Sequence, residues 1–210
     1  MQNWSDLRWP ENDFSAVPYP VFYDQDVFNA EQERIFRGPL WCYAALQAEI
    51  PNPGDYKSTF VGDTPVVINR ATDGAIHAFV NRCAHRGTLL VRDHFGNRED
   101  HTCIYHHWSY DHRGNLIGVP FQRGIDGKGG MPETFCKVDH GLERIRVETI
   151  NGLIFGTFSE TVEPLIDYLG PQVAGSIGRI AGREFRVLGY YSQWLSSHWK
   201  HYCELSLIHI

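Results

Sequence analysis

The chain lacks a basic excess. It has 19 Lys and Arg against 25 Asp and Glu, a net charge of −6. Nothing in that balance draws it to nucleic acid or to an anionic membrane surface. Long apolar runs are missing too. The longest, LWCYAAL at 40–46, is far too short to span a bilayer. The first thirteen residues hold three acids and no apolar stretch, which is unlike a secretory leader. There are no repeats and no low-complexity tracts. Cysteine is scarce: five in all, with Cys42, Cys136 and Cys203 scattered and the other two next to histidines. That pattern argues against a disulfide framework and for metal-binding thiols in a reducing cytoplasm.

What is present is a globular composition, 42% hydrophobic and 21% charged over 210 residues. That is enough for one good core, or for one domain and part of another. Residues 1–39 read as a lead-in. DQDVFNAEQERIF at 24–36 predicts one short helix capped by Asp24 or Asp26, ended by GPL at 38–40. From 40 to 158 the pattern turns to short β runs. STFV at 58–61, PVVINR at 65–70 and AIHAFV at 75–80 predict strands, with TDG at 72–74 as a turn. ERIRVETI and LIFGTF flank Asn151-Gly152, a two-residue hairpin signal. RGIDGKGGMPETF at 123–135 reads as a glycine-rich surface loop. Beyond 158, VEPLIDYLG predicts a short helix, and EFRVLGYYSQWL a strand over 185–195.

Two loops stand out on this scaffold. NRCAHRG at 81–87 carries Cys83 and His85, and CIYHHW at 103–108 carries Cys103 and His106. Two thiolates and two imidazoles can hold zinc or an iron–sulfur cluster. A zinc finger usually keeps its cysteines together and its histidines together. Here each loop supplies one of each, which suits a 2Fe–2S cluster with two Cys on one iron and two His on the other. Neutral imidazoles in place of two thiolates raise the potential from roughly −400 mV to about −150 to +300 mV. A zinc site, or four purely structural residues, stay as alternatives. The two-residue gap selects His106 over His107, which reads as an exposed histidine without a ligand role. His94, His101 and His112 read as surface polar residues. Trp108 is expected to pack beneath the cluster, and Arg86 to pair with an acid across the loop.

The spacing Cys-x-His-x17-Cys-x2-His resembles the Rieske motif. EQERIFRGP at 31–39, EIPNPGDYKSTFVGDTPVV at 49–67, HTCIYHHWSYD at 101–111, GNLIGVPF at 114–121 and HGLERIRVETINGLIFGTF at 140–158 extend the likeness. Together they resemble the N-terminal half of the large (α) subunits of Rieske non-haem iron ring-hydroxylating oxygenases, among them the anthranilate 1,2-dioxygenase and salicylate 5-hydroxylase group. The resemblance implies a mainly β fold. It consists of a Rieske-type antiparallel domain at 40–158, a helical lead-in at 1–39 and the truncated start of an α+β catalytic domain at 159–204. It implies a 2Fe–2S cluster on Cys83, His85, Cys103 and His106. The cluster would take electrons from an NAD(P)H-dependent reductase or a ferredoxin, in a trimer-based homo-oligomer that in some members carries a small β subunit. It would relay them to a mononuclear Fe(II) that activates O₂ against an aromatic ring. The runner-up function is a stand-alone Rieske ferredoxin, which needs neither flank.

The family's iron-ligand segment is not matched here. Trp199, Lys200 and Glu204 of HWKHYCE fit its start, but His198 stands where Asn is usual. LSLIHI at 205–210 breaks the pattern and reads as a non-native tail. No catalytic iron triad is assigned, and His201 and His209 are not taken as ligands. The chain by itself is expected to be inactive as an oxygenase.

Overall fold

Val, Ile and Thr crowd the stretch from 58 to 80, and β-branched side chains favour extended backbone. The computed structural model of the chain describes residues 7, 9 and 16–207. After a first strand, β1 (Cys42–Leu46), it forms β2 (Asp55–Val61), β3 (Thr64–Arg70) and β4 (Ile76–Val80) from that stretch. There follow β5 (Phe95–Asn97), the short β6 (His101–Thr102), β7 (Ser109–Tyr110) and β8 (Leu116–Gly118), and a hairpin of β9 (Arg144–Ile150) and β10 (Leu153–Thr157). Seven strands join in the order β1-β10-β9-β4-β3-β2-β5, and β6-β7-β8 form a second sheet. The pairings are antiparallel. The fold is mainly β, as the sequence implied. At the β9–β10 turn Asn151 and Gly152 have φ of 47° and 82°, the two positive values that a type I′ hairpin turn requires.

The large sheet is covered on both faces. Side chains alternate along a strand, so Val66 and Ile68 of β3 enter one core and Val67 enters the other. The first core is aliphatic, with Ala45, Ile50, Val66, Ile68, Ile145 and Ile154 at its centre. The second is aromatic and thiol-bearing, and holds Tyr56, Phe79, Cys83, Cys103, Trp108 and Tyr110. This second face supports the two Cys/His loops.

The predicted helix after 158 is longer than expected. It runs as α3 (Leu165–Ala181) and breaks locally at Gly170 (φ 65°, ψ 168°). Pro171 follows, and a residue before proline is pushed out of the helical region. Glu148 accepts a hydrogen bond from Leu165 N at 2.8 Å, placing a carboxylate at the positive end of the helix. The strand expected at 185–195 does not form: 184–195 carry no regular structure. A strand needs a neighbour for its ladder, and none of the described strands pairs with this stretch. The glycine-rich loop at 123–135 is irregular apart from one isolated bridge, Ile125 to Lys128.

Residues 36–187 make one compact unit, and the described residues of 1–35 and 188–210 make another. The second unit holds α1 (Pro20–Tyr23), α2 (Gln25–Glu31) and α4 (Trp199–Leu207). Asp24 caps α2, accepting from Asp26 N at 2.8 Å and Val27 N at 3.1 Å. The single helix predicted over 24–36 is instead α2 followed by a π turn at Gln32–Phe36. Glu31 accepts from the Trp199 indole at 2.9 Å and ion-pairs with Lys200. His201 stacks on Phe22 and hydrogen-bonds Ser197. His209 lies outside the described residues, as does the end of the tail read at 205–210.

Candidate metal centre

The two loops share one backbone design. In the first, Cys83 N donates to Thr88 O and Gly87 N donates back to Cys83 O, both at 2.8 Å. In the second, Cys103 N donates to Trp108 O and His107 N donates back to Cys103 O, both at 2.9 Å. The fourth residue after each cysteine sits in the left-handed region, Gly87 at φ 69° and His107 at φ 56°. Glycine takes that conformation freely, whereas histidine is strained by it. His107 is exposed, as expected.

Each loop thus turns its cysteine inward and its histidine outward. Cys83 and Cys103 are buried and unbridged. His85 is exposed and His106 partly so. Their rings meet edge-on, centroids 4.6 Å apart at 72°. Tyr105 packs on His106 at 3.8 Å. Trp108 is buried and stacks flat under His85, at 4.6 Å and 11°. Arg86 lies over the Tyr105 ring, 5.6 Å from its centroid. The acid expected to pair with it is not found among the described residues.

Tyr110 was not singled out from sequence, yet it ties the loops together. Its hydroxyl is 3.3 Å from Cys83 Sγ and accepts from Ala84 N at 3.2 Å. With the lone pair engaged by Ala84, the phenolic proton can point at the sulfur. Burial and then the bond to Cys83 push the phenol's pKa up, so it remains a donor. Slight local desolvation, then His106 and Arg86, hold the exposed His85 imidazole below its usual range. That favours the neutral form a metal requires.

His101 and His112, read as surface residues, are both buried. His101 is enclosed by the rings of Tyr56, Phe79 and His112 at 5.4–5.8 Å. Burial, then His112 and Arg98, lower its pKa to about 4. His112 Nε2 meets Arg98 O at 2.9 Å. His94 is exposed, as expected.

The donor set fits a two-iron cluster. Among the described residues no three metal-ligating side chains converge as a single ion would need. A 2Fe–2S centre asks only two side chains per iron, because bridging sulfides complete each tetrahedron.

Residues 40–132 match the family model of the Rieske [2Fe-2S] domain. The chain therefore carries a Rieske iron–sulfur domain. Over 200 residues it is 54% identical to the anthranilate 1,2-dioxygenase large subunit of Burkholderia cepacia, covering 95% of this chain and 47% of that one. It is 42% identical to the salicylate 5-hydroxylase large oxygenase component of a Ralstonia species, over 93% of this chain and 47% of that one. The crystal structure of naphthalene 1,2-dioxygenase from a Rhodococcus species superposes with a TM-score of 0.76 at 31% identity, over 88% of this chain and 41% of that one. Over most of its length the chain is similar to the large subunits of Rieske ring-hydroxylating oxygenases. It spans about half the length of the curated relatives it matches.

Proposed function

We propose that Cys83 and Cys103 hold one iron of a 2Fe–2S cluster, and His85 and His106 the other. The observation that carries this reading is the pair of matched loops, with two buried thiols below and two adjacent imidazoles above. When bound, the cluster supplies one-electron transfer at a potential raised by its imidazole ligands. The chain's own residues set its surroundings. Trp108 excludes water beneath His85, and the Tyr110 hydroxyl donates toward the Cys83 sulfur. A donor to a ligand sulfur favours the reduced, more negative state.

The whole protein is proposed to be an oxidoreductase that hydroxylates an aromatic ring. Its electrons come from an NAD(P)H-dependent reductase, directly or through a ferredoxin, and pass to a mononuclear Fe(II), for which no ligand group is found among the described residues. A trimer-based assembly, with or without a small β subunit, and a cytoplasmic location belong to the same reading. So does a substrate of the aromatic-acid class, taken from the relatives' names. Residues 40–158 would be the Rieske domain, and 159–204 the start of the catalytic one. Among the described residues no helix is long and apolar enough to cross a membrane. The likeness to these relatives runs over most of the chain, flanks included, which favours this reading over a lone ferredoxin.

The test is anaerobic reconstitution. The expected product contains two irons and two sulfides per chain and gives a reduced EPR signal of low average g. Stoichiometric zinc with no iron would overturn the assignment.

A further inference from the structure

A relay must take an electron in as well as pass it on. The exposed edge of His85 and His106 offers one way to or from the cluster. A second set of ring contacts lies on the other side of His85. Behind His85, the buried Trp108 meets Phe135 and His140 nearly edge-on, with centroids at 5.8 Å and 5.7 Å. Phe135 and His140 stack on each other at 4.6 Å and 13°. Both are half-buried and lie beside the exposed Cys136 and Val138. Lys137 Nζ donates to Ile117 O at 2.6 Å and pins this segment to β8. A continuous run of rings in contact therefore leads from His85 to the surface at 135–140. These spacings and angles are those of ordinary aromatic contacts. Tunnelling rates decay exponentially with distance, and less steeply through contacting π systems than through saturated side chains.

We propose that Trp108, Phe135 and His140 form an electron-entry route from the surface at 135–140 to the cluster. One electron at a time leaves an external one-electron donor, a reduced iron–sulfur or flavin protein, and converts one ferric ion of the cluster to ferrous. No bond forms or breaks, and the donor is oxidised by the same single electron. The inference rests on the reading that His85 is a cluster ligand. Trp108 and its neighbours act through His85, so they are positioning residues.

The experiment tethers a ruthenium photosensitiser to Cys136 in a Cys42→Ser, Cys203→Ser background of the full chain. Flash reduction of the cluster is then followed by its visible absorbance. Trp108→Leu, and separately Phe135→Leu with His140→Leu, are expected to slow that reduction about tenfold. Trp108→Phe should restore most of the rate. The midpoint potential should be unchanged in the Phe135→Leu/His140→Leu protein, whose substitutions lie at the half-buried end and leave Trp108 in place. Unchanged rates in that variant, with two irons bound, would overturn the route even if Trp108→Leu fails to fold. A His85→Ala chain that still binds a normal Rieske cluster would instead overturn the ligand reading, and the route with it.

Discussion

The two faces of the seven-stranded sheet are built from different chemistry. One is closed by Ala, Val and Ile, most of them from strands distant in sequence. The other is closed by Tyr56, Phe79, Trp108 and Tyr110 around two buried thiols. Its strands β6, β7 and β8 are two or three residues long, far too short to stand alone. The aliphatic face has the features of a scaffold that stabilises itself. The thiol face has the features of a layer that the proposed cluster would complete. The same β3 strand serves both, because successive residues point to opposite sides.

Two substitutions sharpen that contrast. Cys103→Ser is expected to have the largest effect, and a local one: iron content falls from two per chain to near zero. Amide exchange in 81–110 should then quicken, while Val66, Ile68 and Ile154 stay protected. Loss of protection across the whole sheet would show that the thiol face also holds the scaffold together. Ile154→Ala removes a fully buried side chain from the aliphatic face and should destabilise the chain by about 2–5 kcal/mol. Iron per folded chain should stay unchanged. A denaturation curve with parallel metal analysis checks both parts.

The smallest effects compare the two loops with each other. Gly87 and His107 occupy equivalent left-handed positions. A Cβ at Gly87 would meet nothing within 4 Å, so Gly87→Ala should cost only the backbone strain, about 1 kcal/mol. His107→Gly should gain a similar amount, about 1 kcal/mol. Thermal unfolding of the two variants should shift in opposite directions. Two shifts of the same sign would mean that the loops are not equivalent.

Local physics made much of this chain legible. The strands at 58–61, 65–70, 75–80 and the 144–157 hairpin announce themselves by β-rich runs and by Asn151-Gly152. A cap at Asp24 or Asp26 is legible, and the Cys/His spacing with its neighbouring motifs marks the two candidate loops. Each of these signals lies within a few residues and needs no knowledge of distant contacts. Other features were decided only by tertiary structure. His101 and His112 look polar in sequence but are buried: the Tyr56 and Phe79 rings close over His101, and His112 packs against His101 and bonds Arg98 O. β9 pairs with β4, so Ile145 lies opposite Ala78 across a long separation that no periodicity encodes. β6, β7 and β8 are too short to show a period. Residues 184–195 have strand-like composition yet stay irregular, since extended backbone persists only where a neighbour takes its hydrogen bonds. The stack from His85 through Trp108 to His140 spans three separate segments, and only the folded chain brings its rings into contact.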